Sequence, residues 1–151
     1  MKNIIVCDLD GTLADCEHRV HHVRSTPKNW DAFYAGIPGD TLNYPVLSVL
    51  NKFVEFEGFR YELIFCSGRP ERCRSDTVEW LLNKACLSED EYTLLMRKDG
   101  DFRADHIVKQ EILDNSIPKE RVLFVLDDRQ QVVDMWRRNG LACFQVAEGN
   151  F

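Results

Sequence analysis

Asp8 and Asp10 stand one residue apart at the end of an apolar run, in the stretch VCDLDGTL at 6–13. Beside a divalent cation that offsets its charge and that of an incoming phosphate, Asp8 can attack phosphorus and carry the phosphoryl group as an aspartyl-phosphate. Asp10 can protonate the leaving oxygen and then draw a proton from water. Alternate residues of a strand leave the same face, so the two carboxylates are expected to crowd one another. Two unit charges about 4 Å apart at an effective dielectric near 20 repel by roughly 4 kcal/mol, and a bound cation is the natural counterweight. Gly11 lets the backbone turn away and leaves N–H groups for anionic oxygens, while Thr12 adds a hydroxyl.

Three further clusters carry groups suited to the same chemistry. Ser67-Gly68-Arg69 follows the apolar run ELIFC, so the Ser67 hydroxyl and nearby N–H groups can cradle a phosphate and the Arg69 fork can take two of its oxygens. Asp105 and Lys109 are four apart on a helical pattern. As a solvated pair they are worth only about 0.2–0.5 kcal/mol; aimed inward by Asp105, the Lys109 ammonium would offset charge on Asp8 and on a phosphate. Asp127 and Asp128 close the run VLFVL, with one expected to touch a metal and the other to hold its water shell or a basic partner such as Arg129. The set Asp8, Asp10, Asp127 and Asp128 is all-oxygen, which suits an octahedral Mg²⁺ that keeps several waters.

The elements that must bring these clusters together read as an alternation of strands and helices. Buried strands are predicted at Asn3 to Asp8, Tyr61 to Ser67, Arg121 to Asp127 and Ala142 to Val146, with a weaker one at Tyr92 to Arg97. A helix from Pro45 to Glu57 would bury Val46, Val49, Leu50, Phe53 and Val54 and stop at Gly58. Asp76 and Glu79 resemble a capping box opening a helix to Ala85 that turns Val78, Leu81, Leu82 and Ala85 inward. Two more helices are predicted, from about Ala104 to Asn115 and from about Arg129 to Asn139, the latter ended by Gly140. The fold class is therefore α/β: a Rossmann-like parallel sheet of about five strands with helices on both faces. Ligands of such sheets bind beyond the carboxyl ends of the strands, where the acidic and basic clusters fall. Residues 1–151 read as one domain, with the polar, aromatic excursion at 14–44 as a cap or lid inserted after the first strand.

Composition limits the partners. With 151 residues, 44% hydrophobic and 11% aromatic, the chain can build its own core. It carries no signal-peptide pattern and no bilayer-length apolar run, which reads as a cytoplasmic protein with no membrane partner. Its six cysteines form no CxxC pair and read as small buried hydrophobes. A net charge of −6 argues against indiscriminate coating of nucleic acid, though basic groups gather at His18 to Arg24 and at Arg69, Arg72 and Arg74. His18, His21 and His22 show no metal-ligand pattern and are expected to be solvated or substrate-facing. Trp30, Phe33 and Tyr34 can stack on a base or simply pack within the insertion.

The motif set resembles the haloacid-dehalogenase-like phosphohydrolases, and more narrowly the 3′-phosphatase domain of phage-type polynucleotide kinase/phosphatases. The carrying residues are DLDGTLA at 8–14, Arg19, Ser67-Gly68-Arg69, DHIVK at 105–109 and LDDRQQVVDMWRRNGLACFQVAEGNF at 126–151. The resemblance implies a Mg²⁺-dependent enzyme that removes 3′-phosphate from DNA or RNA ends or from nucleotides, in the host cytoplasm if phage-encoded. It implies Asp8 as nucleophile, Asp10 as acid and base, and Lys109 as charge stabiliser. Arg19, Arg69 and Asp105 would shape the substrate site together with Thr12, Ser67 and Gly68, and Asp127 and Asp128 would organise the metal. No GxxxxGK[ST] loop is present, so 5′-phosphorylation is not implied and a separate kinase or ligase would be the partner. A homo-oligomer is left open, as are two other readings: a small-molecule nucleotidase of the same superfamily and a non-catalytic module that binds nucleic-acid ends.

Overall fold

The computed structural model describes residues 1–54, 60–149 and 151. In chain order the elements are β1 (Ile4–Cys7), β2 (Ala14–Asp15), α1 (Glu17–Arg24), α2 (Trp30–Ala35), β3 (Thr41–Leu42), α3 (Tyr44–Val54), β4 (Glu62–Pro70), α4 (Arg74–Ala85), β5 (Tyr92–Arg97), α5 (Asp105–Ser116), β6 (Val122–Arg129), α6 (Gln130–Arg138) and β7 (Cys143–Gly149). Five strands form one parallel sheet in the order β5-β4-β1-β6-β7. The central strand β1 is buried at every residue, as an unbroken apolar sequence covered on both faces should be.

Alternation of side chains divides the core in two. Ile5, Cys7, Leu63 and Phe65 join the cluster that contains Val46 and Leu50 of α3 and Trp80 and Leu81 of α4. Ile4, Val6, Ile64, Cys66 and Val125 join the cluster that contains Leu113 of α5 and Val132, Val133 and Trp136 of α6. All six cysteines are unpaired, and five are buried; Cys86 is exposed. Among the described residues, no helix is long and apolar enough to cross a membrane.

Several boundaries differ from the sequence expectation. Strands β4 and β6 run on to Pro70 and Arg129, past the expected ends at Ser67 and Asp127, so Arg69 and Asp128 lie within the strands rather than after them. The capping box does not form: a 3₁₀ turn at Glu71–Cys73 leads directly into α4 at Arg74, placing Asp76 inside the first turn. This helix buries Thr77, Trp80, Leu81 and Ala85 and leaves Leu82, expected to turn inward, 53% exposed. Val49 lies on the flank of α3 and is 42% exposed, while Val46 and Leu50 carry the packing. The expected helix end at Gly58 falls outside the described residues.

The excursion at 14–44 is tied at its base by β2 and β3, which pair antiparallel with Ala14 opposite Leu42 and Asp15 opposite Thr41. It holds a small core of its own, with Cys16, Val20 and Val23 against Phe33.

The face assignment of α4 gives a direct check. Leu81→Ala should cost about 2–5 kcal/mol in a denaturant melt because it leaves a cavity, whereas Leu82→Ala should stay within about 0.5 kcal/mol of the parent. Equal losses would mean that α4 buries a different face.

Candidate active site

Asp8 follows the last residue of β1, and its N–H donates to the Leu126 carbonyl at 2.9 Å, which joins the ends of β1 and β6. The chain then turns: Thr12 and Ala14 N–H groups both donate to the Leu9 carbonyl, at 3.0 and 2.9 Å. Gly11 adopts φ +83°, and a Cβ there would lie 2.2 Å from Asp128 Oδ2. Glycine is thus required both for the left-handed turn and for the approach of Asp128. The Asn43 amide donates to the Thr12 carbonyl at 2.8 Å and fixes the turn.

Lys109 reaches this point from α5, fully buried. Its Nζ lies 2.8 Å from Asp8 Oδ1, 3.0 Å from Asp127 Oδ2 and 3.6 Å from Asp105 Oδ2. The pair with Asp105 is therefore no solvated surface contact; the stronger bonds go to the strand ends. Trp136 Nε1 also donates to Asp127 Oδ2, at 3.0 Å, and the Asp128 N–H donates to Asp127 Oδ1 at 2.9 Å. The Thr12 hydroxyl lies 3.3 Å from Asp8 Oδ2 and 3.4 Å from Asp128 Oδ1.

Asp8, Asp127 and Asp128 each bring a carboxylate oxygen within 4.8 Å of the others. Burial pushes the Asp8 pKa well above the ordinary carboxylate value; Lys109 opposes this, and Asp127, Asp128 and Asp105 add to it. Burial, then the charge of Asp127, pushes Asp128 up to about 6. Burial disfavours charge on Lys109 as well, yet the acids around it raise its pKa well above the ordinary value. One ammonium does not balance this group. An all-oxygen donor set with surplus negative charge fits a divalent cation.

Asp10 belongs elsewhere. Its Oδ1 accepts from Arg19 Nη2 at 2.6 Å and from Arg69 Nη2 and Nε at 2.5 and 3.0 Å. Burial would raise its pKa, but the Arg69 and Arg19 guanidinium groups outweigh it and hold the carboxyl below its usual range. The expected crowding of Asp8 against Asp10, with both carboxylates on one cation, is not what the chain builds. β1 ends at Cys7, and Asp10 is already in the turn, bridged to Ala14. The like charges that bear on Asp8 come from Asp127, Asp128 and Asp105.

Arg19 and Arg69 likewise differ from the expectation that they face a phosphate. Both are buried, and all three guanidinium nitrogens of each are engaged. Arg19 donates from Nε and Nη2 to Asp40, from Nη2 to Asp10 and from Nη1 to the Phe33 carbonyl. Arg69 donates from Nη2 to Asp40 as well as Asp10, and from Nη1 to Thr77. Asp40, wholly buried, is the residue sequence reasoning missed: a lone acid after Gly39, with no motif to mark it, gathers Arg19, Arg69 and His18. His18 Nε2 lies 2.8 Å from Asp40 Oδ1, so this ring is anchored, although its side chain is 46% exposed.

A pocket of about 50 Å³ opens over Asp8 and Asp10. Gly68 lines it, and a Cβ there would lie 2.2 Å from Asp105 Oδ1, so only glycine lets Asp105 come this close. Arg97, also missed in the sequence, donates from Nε to the Gly68 carbonyl at 2.8 Å and from Nη2 to Asp105 at 3.4 Å. Arg129, expected beside Asp127 and Asp128, instead lies 3.7 Å from Asp105 Oδ2. Arg97 and Arg129 are the cations that line the pocket. Ser67 is buried, with its Oγ accepting from the Arg69 N–H at 3.1 Å. Phe33 is buried and Tyr34 half-buried, both on the pocket wall beside Trp30.

Removing the buried ammonium should reveal the balance of charge. Lys109→Met leaves Asp8 and Asp127 uncompensated, and breaking such a buried pair costs about 3–5 kcal/mol. The folded-state pKa of Asp8 then rises further above its unfolded value, so the folded state holds the extra proton at low pH and loses that advantage as pH rises through the folded pKa. Thermal melts without added metal should show a larger loss for Lys109→Met at a pH of about 8 than at about 5. A loss independent of pH would contradict the assignment.

A family model described as the polynucleotide kinase PNKP phosphatase domain matches residues 2–151. Among solved structures, a chain of the Pnkp1/Rnl/Hen1 RNA repair complex is 38% identical at a TM-score of 0.79, covering 99% of this chain and 44% of that one. A second structure of the Pnkp1/Rnl/Hen1 complex gives 40% identity and a TM-score of 0.77, covering 99% of this chain and 48% of that one. This chain spans less than half the length of either. A haloacid dehalogenase-like hydrolase from Streptococcus pneumoniae shares the fold at 13% identity and a TM-score of 0.64, covering 95% of this chain and 84% of that one. The chain belongs to the family of polynucleotide kinase PNKP phosphatase domains.

Proposed function

We propose that this chain is a Mg²⁺-dependent phosphatase that releases 3′-phosphate from DNA or RNA ends through an aspartyl-phosphate on Asp8. The observation that carries the reading is the buried group of Asp8, Asp127 and Asp128 around Lys109, at the carboxyl ends of two adjacent parallel strands. The nucleic-acid end as substrate is drawn from the family.

Asp8 and Asp128 would hold the ion directly. Asp127 already receives Lys109, Trp136 and its neighbour's N–H, whereas the Asp128 carboxylate has the Thr12 hydroxyl at 3.4 Å. When bound, Mg²⁺ supplies offsetting charge to the carboxylates and the phosphate. Lys109 fixes Asp8 through Oδ1 and lowers the repulsion between Asp8 and the substrate. Asp8 attacks phosphorus as the bond to the 3′-oxygen breaks, and that oxygen needs a proton.

Asp10 would exchange it. Ionised by Arg19 and Arg69, it is suited to take a proton from the water that opens the aspartyl-phosphate. The negative charge of an arriving phosphate moves its pKa back upward, toward the acid role that the leaving oxygen requires. Arg97, Arg129 and the Gly68 backbone would meet the phosphate oxygens, with Asp105 orienting both arginines. The excursion at 14–44 acts in this scheme as a cap, since it brings Arg19, Asp40, Trp30, Phe33 and Tyr34 over the strand ends. Freed 3′ ends are what end-joining needs, so a ligase is the natural partner.

The reading is tested with a 3′-phosphorylated oligonucleotide and Mg²⁺. The parent chain should release phosphate, and Asp8→Asn should lower kcat by about a thousandfold or more. Asp128→Asn should raise the Mg²⁺ concentration for half-maximal rate by about 10- to 100-fold. Equal activity in a chelator would exclude the metal. Faster turnover of free mononucleotides than of oligonucleotide ends would favour a nucleotidase, the alternative that the net charge of −6 supports.

A further inference from the structure

The excursion gives the catalytic pocket a wall of Trp30, Phe33 and Tyr34, and this wall carries a polar group that the chemistry above does not use. Among the described residues, the Tyr34 hydroxyl has no hydrogen-bond partner. Tyrosine placed away from water ordinarily finds one for its O–H, and Tyr34 is half-buried. Burial, then the charge of Asp10, pushes this phenol up to about 12, with Arg97 opposing and Asp105 adding to the rise. The charges that bear on the hydroxyl thus belong to residues of the pocket, and at neutral pH it is protonated and able to donate.

The ring that carries it is fixed. Asn29 caps α2 by accepting from the Ala32 N–H at 3.0 Å. Trp30 stacks on the Tyr34 ring with centroids 5.9 Å apart, Phe33 meets it edge-on at 5.4 Å, and the Arg72 guanidinium lies 5.9 Å from its centroid. These contacts engage the ring and leave its polar tip uncommitted.

A terminal phosphate brings three strong acceptor oxygens, and the donors around this pocket are largely claimed. Nε and Nη1 of Arg97 are spent on the carbonyls of Gly68, Asp101 and Arg103, and Nη2 pairs with Asp105 at 3.4 Å. Lys109 is taken by Asp8 and Asp127. On the side of the excursion, the Asp10 carboxylate can only accept while it is ionised, whereas the Tyr34 hydroxyl can donate. We infer that the Tyr34 hydroxyl donates a hydrogen bond to an oxygen of the phosphate bound over Asp8, so that the excursion supplies a catalytic residue as well as a cover. The inference rests on the reading of Asp8 as acting on a phosphate ester. Since Tyr34 meets the phosphate and not the nucleotide, its contribution is the same whatever group leaves.

Tyr34→Phe deletes the hydroxyl and keeps the ring. The test measures kcat/KM of the parent and of this variant for a 3′-phosphorylated oligonucleotide and for p-nitrophenyl phosphate, and titration calorimetry measures binding of inorganic phosphate in the presence of Mg²⁺. Tyr34→Phe should lower kcat/KM by about tenfold or more on both substrates and weaken phosphate binding by a similar factor, the size expected for one hydrogen bond to a charged group. Turnover and phosphate affinity equal to the parent's would overturn the inference while leaving the phosphatase reading intact. A loss confined to the oligonucleotide would overturn it too, because it would put Tyr34 on the nucleotide. If the parent releases no phosphate from either substrate, the phosphatase reading fails, and the phosphate titration still decides the contact: binding that depends on the hydroxyl supports it, and binding that does not, or no binding at all, overturns it.

Discussion

A buried lysine facing more carboxylates than it can neutralise is the constraint on which the rest of the molecule depends. Lys109 lies between Asp8, Asp127 and Asp105, with Asp128 close behind. Taking each charge out of water costs several kcal/mol, and the arrangement is tolerable only if every group finds a partner. The fold supplies some of these: the Trp136 indole for Asp127, the Thr12 hydroxyl for Asp8 and Asp128, and Arg97 and Arg129 for Asp105. Glycine at positions 11, 68 and 149 lets carboxylates approach where any side chain would collide. What these partners leave over is negative charge at the strand ends.

The fold separates the two aspartates of the opening motif into opposite electrostatic settings. Asp8 is placed among other acids, in a setting that raises its pKa, while Asp10 is placed between two arginines that lower it. The backbone turn that begins after β1 makes this possible by sending Asp10 toward the excursion rather than along the strand. Asp40 completes the second environment from the excursion itself, so the segment between β1 and α3 helps build the setting of Asp10.

The sheet is legible because its three inner strands, β4, β1 and β6, carry apolar runs on both faces, and the clusters at Asp8, Ser67 and Asp127 each follow such a run. Lys109 could be placed from helical spacing to Asp105 alone. The second environment was not legible: Arg69 and Asp40 are 29 positions apart, and neither flanking sequence tells a buried carboxylate from a polar turn. The type of Arg69 suits a phosphate ligand, but type says nothing about whether a nearer acid claims its nitrogens first. The capping box at Asp76 failed for a related reason, as the 3₁₀ turn before it had already opened the helix.

Titration calorimetry of Mg²⁺ into the metal-free chain, repeated in buffers of different ionisation enthalpy, tests the central charge imbalance most directly. One ion should bind per chain, and at a pH of about 6 it should release protons, because the raised pKa of Asp128, about 6, leaves it partly protonated until the ion arrives. Asp128→Asn should weaken the binding by about 10- to 100-fold and remove that release. Saturable binding with no proton release near pH 6, or binding that survives the substitution unchanged, would contradict the account.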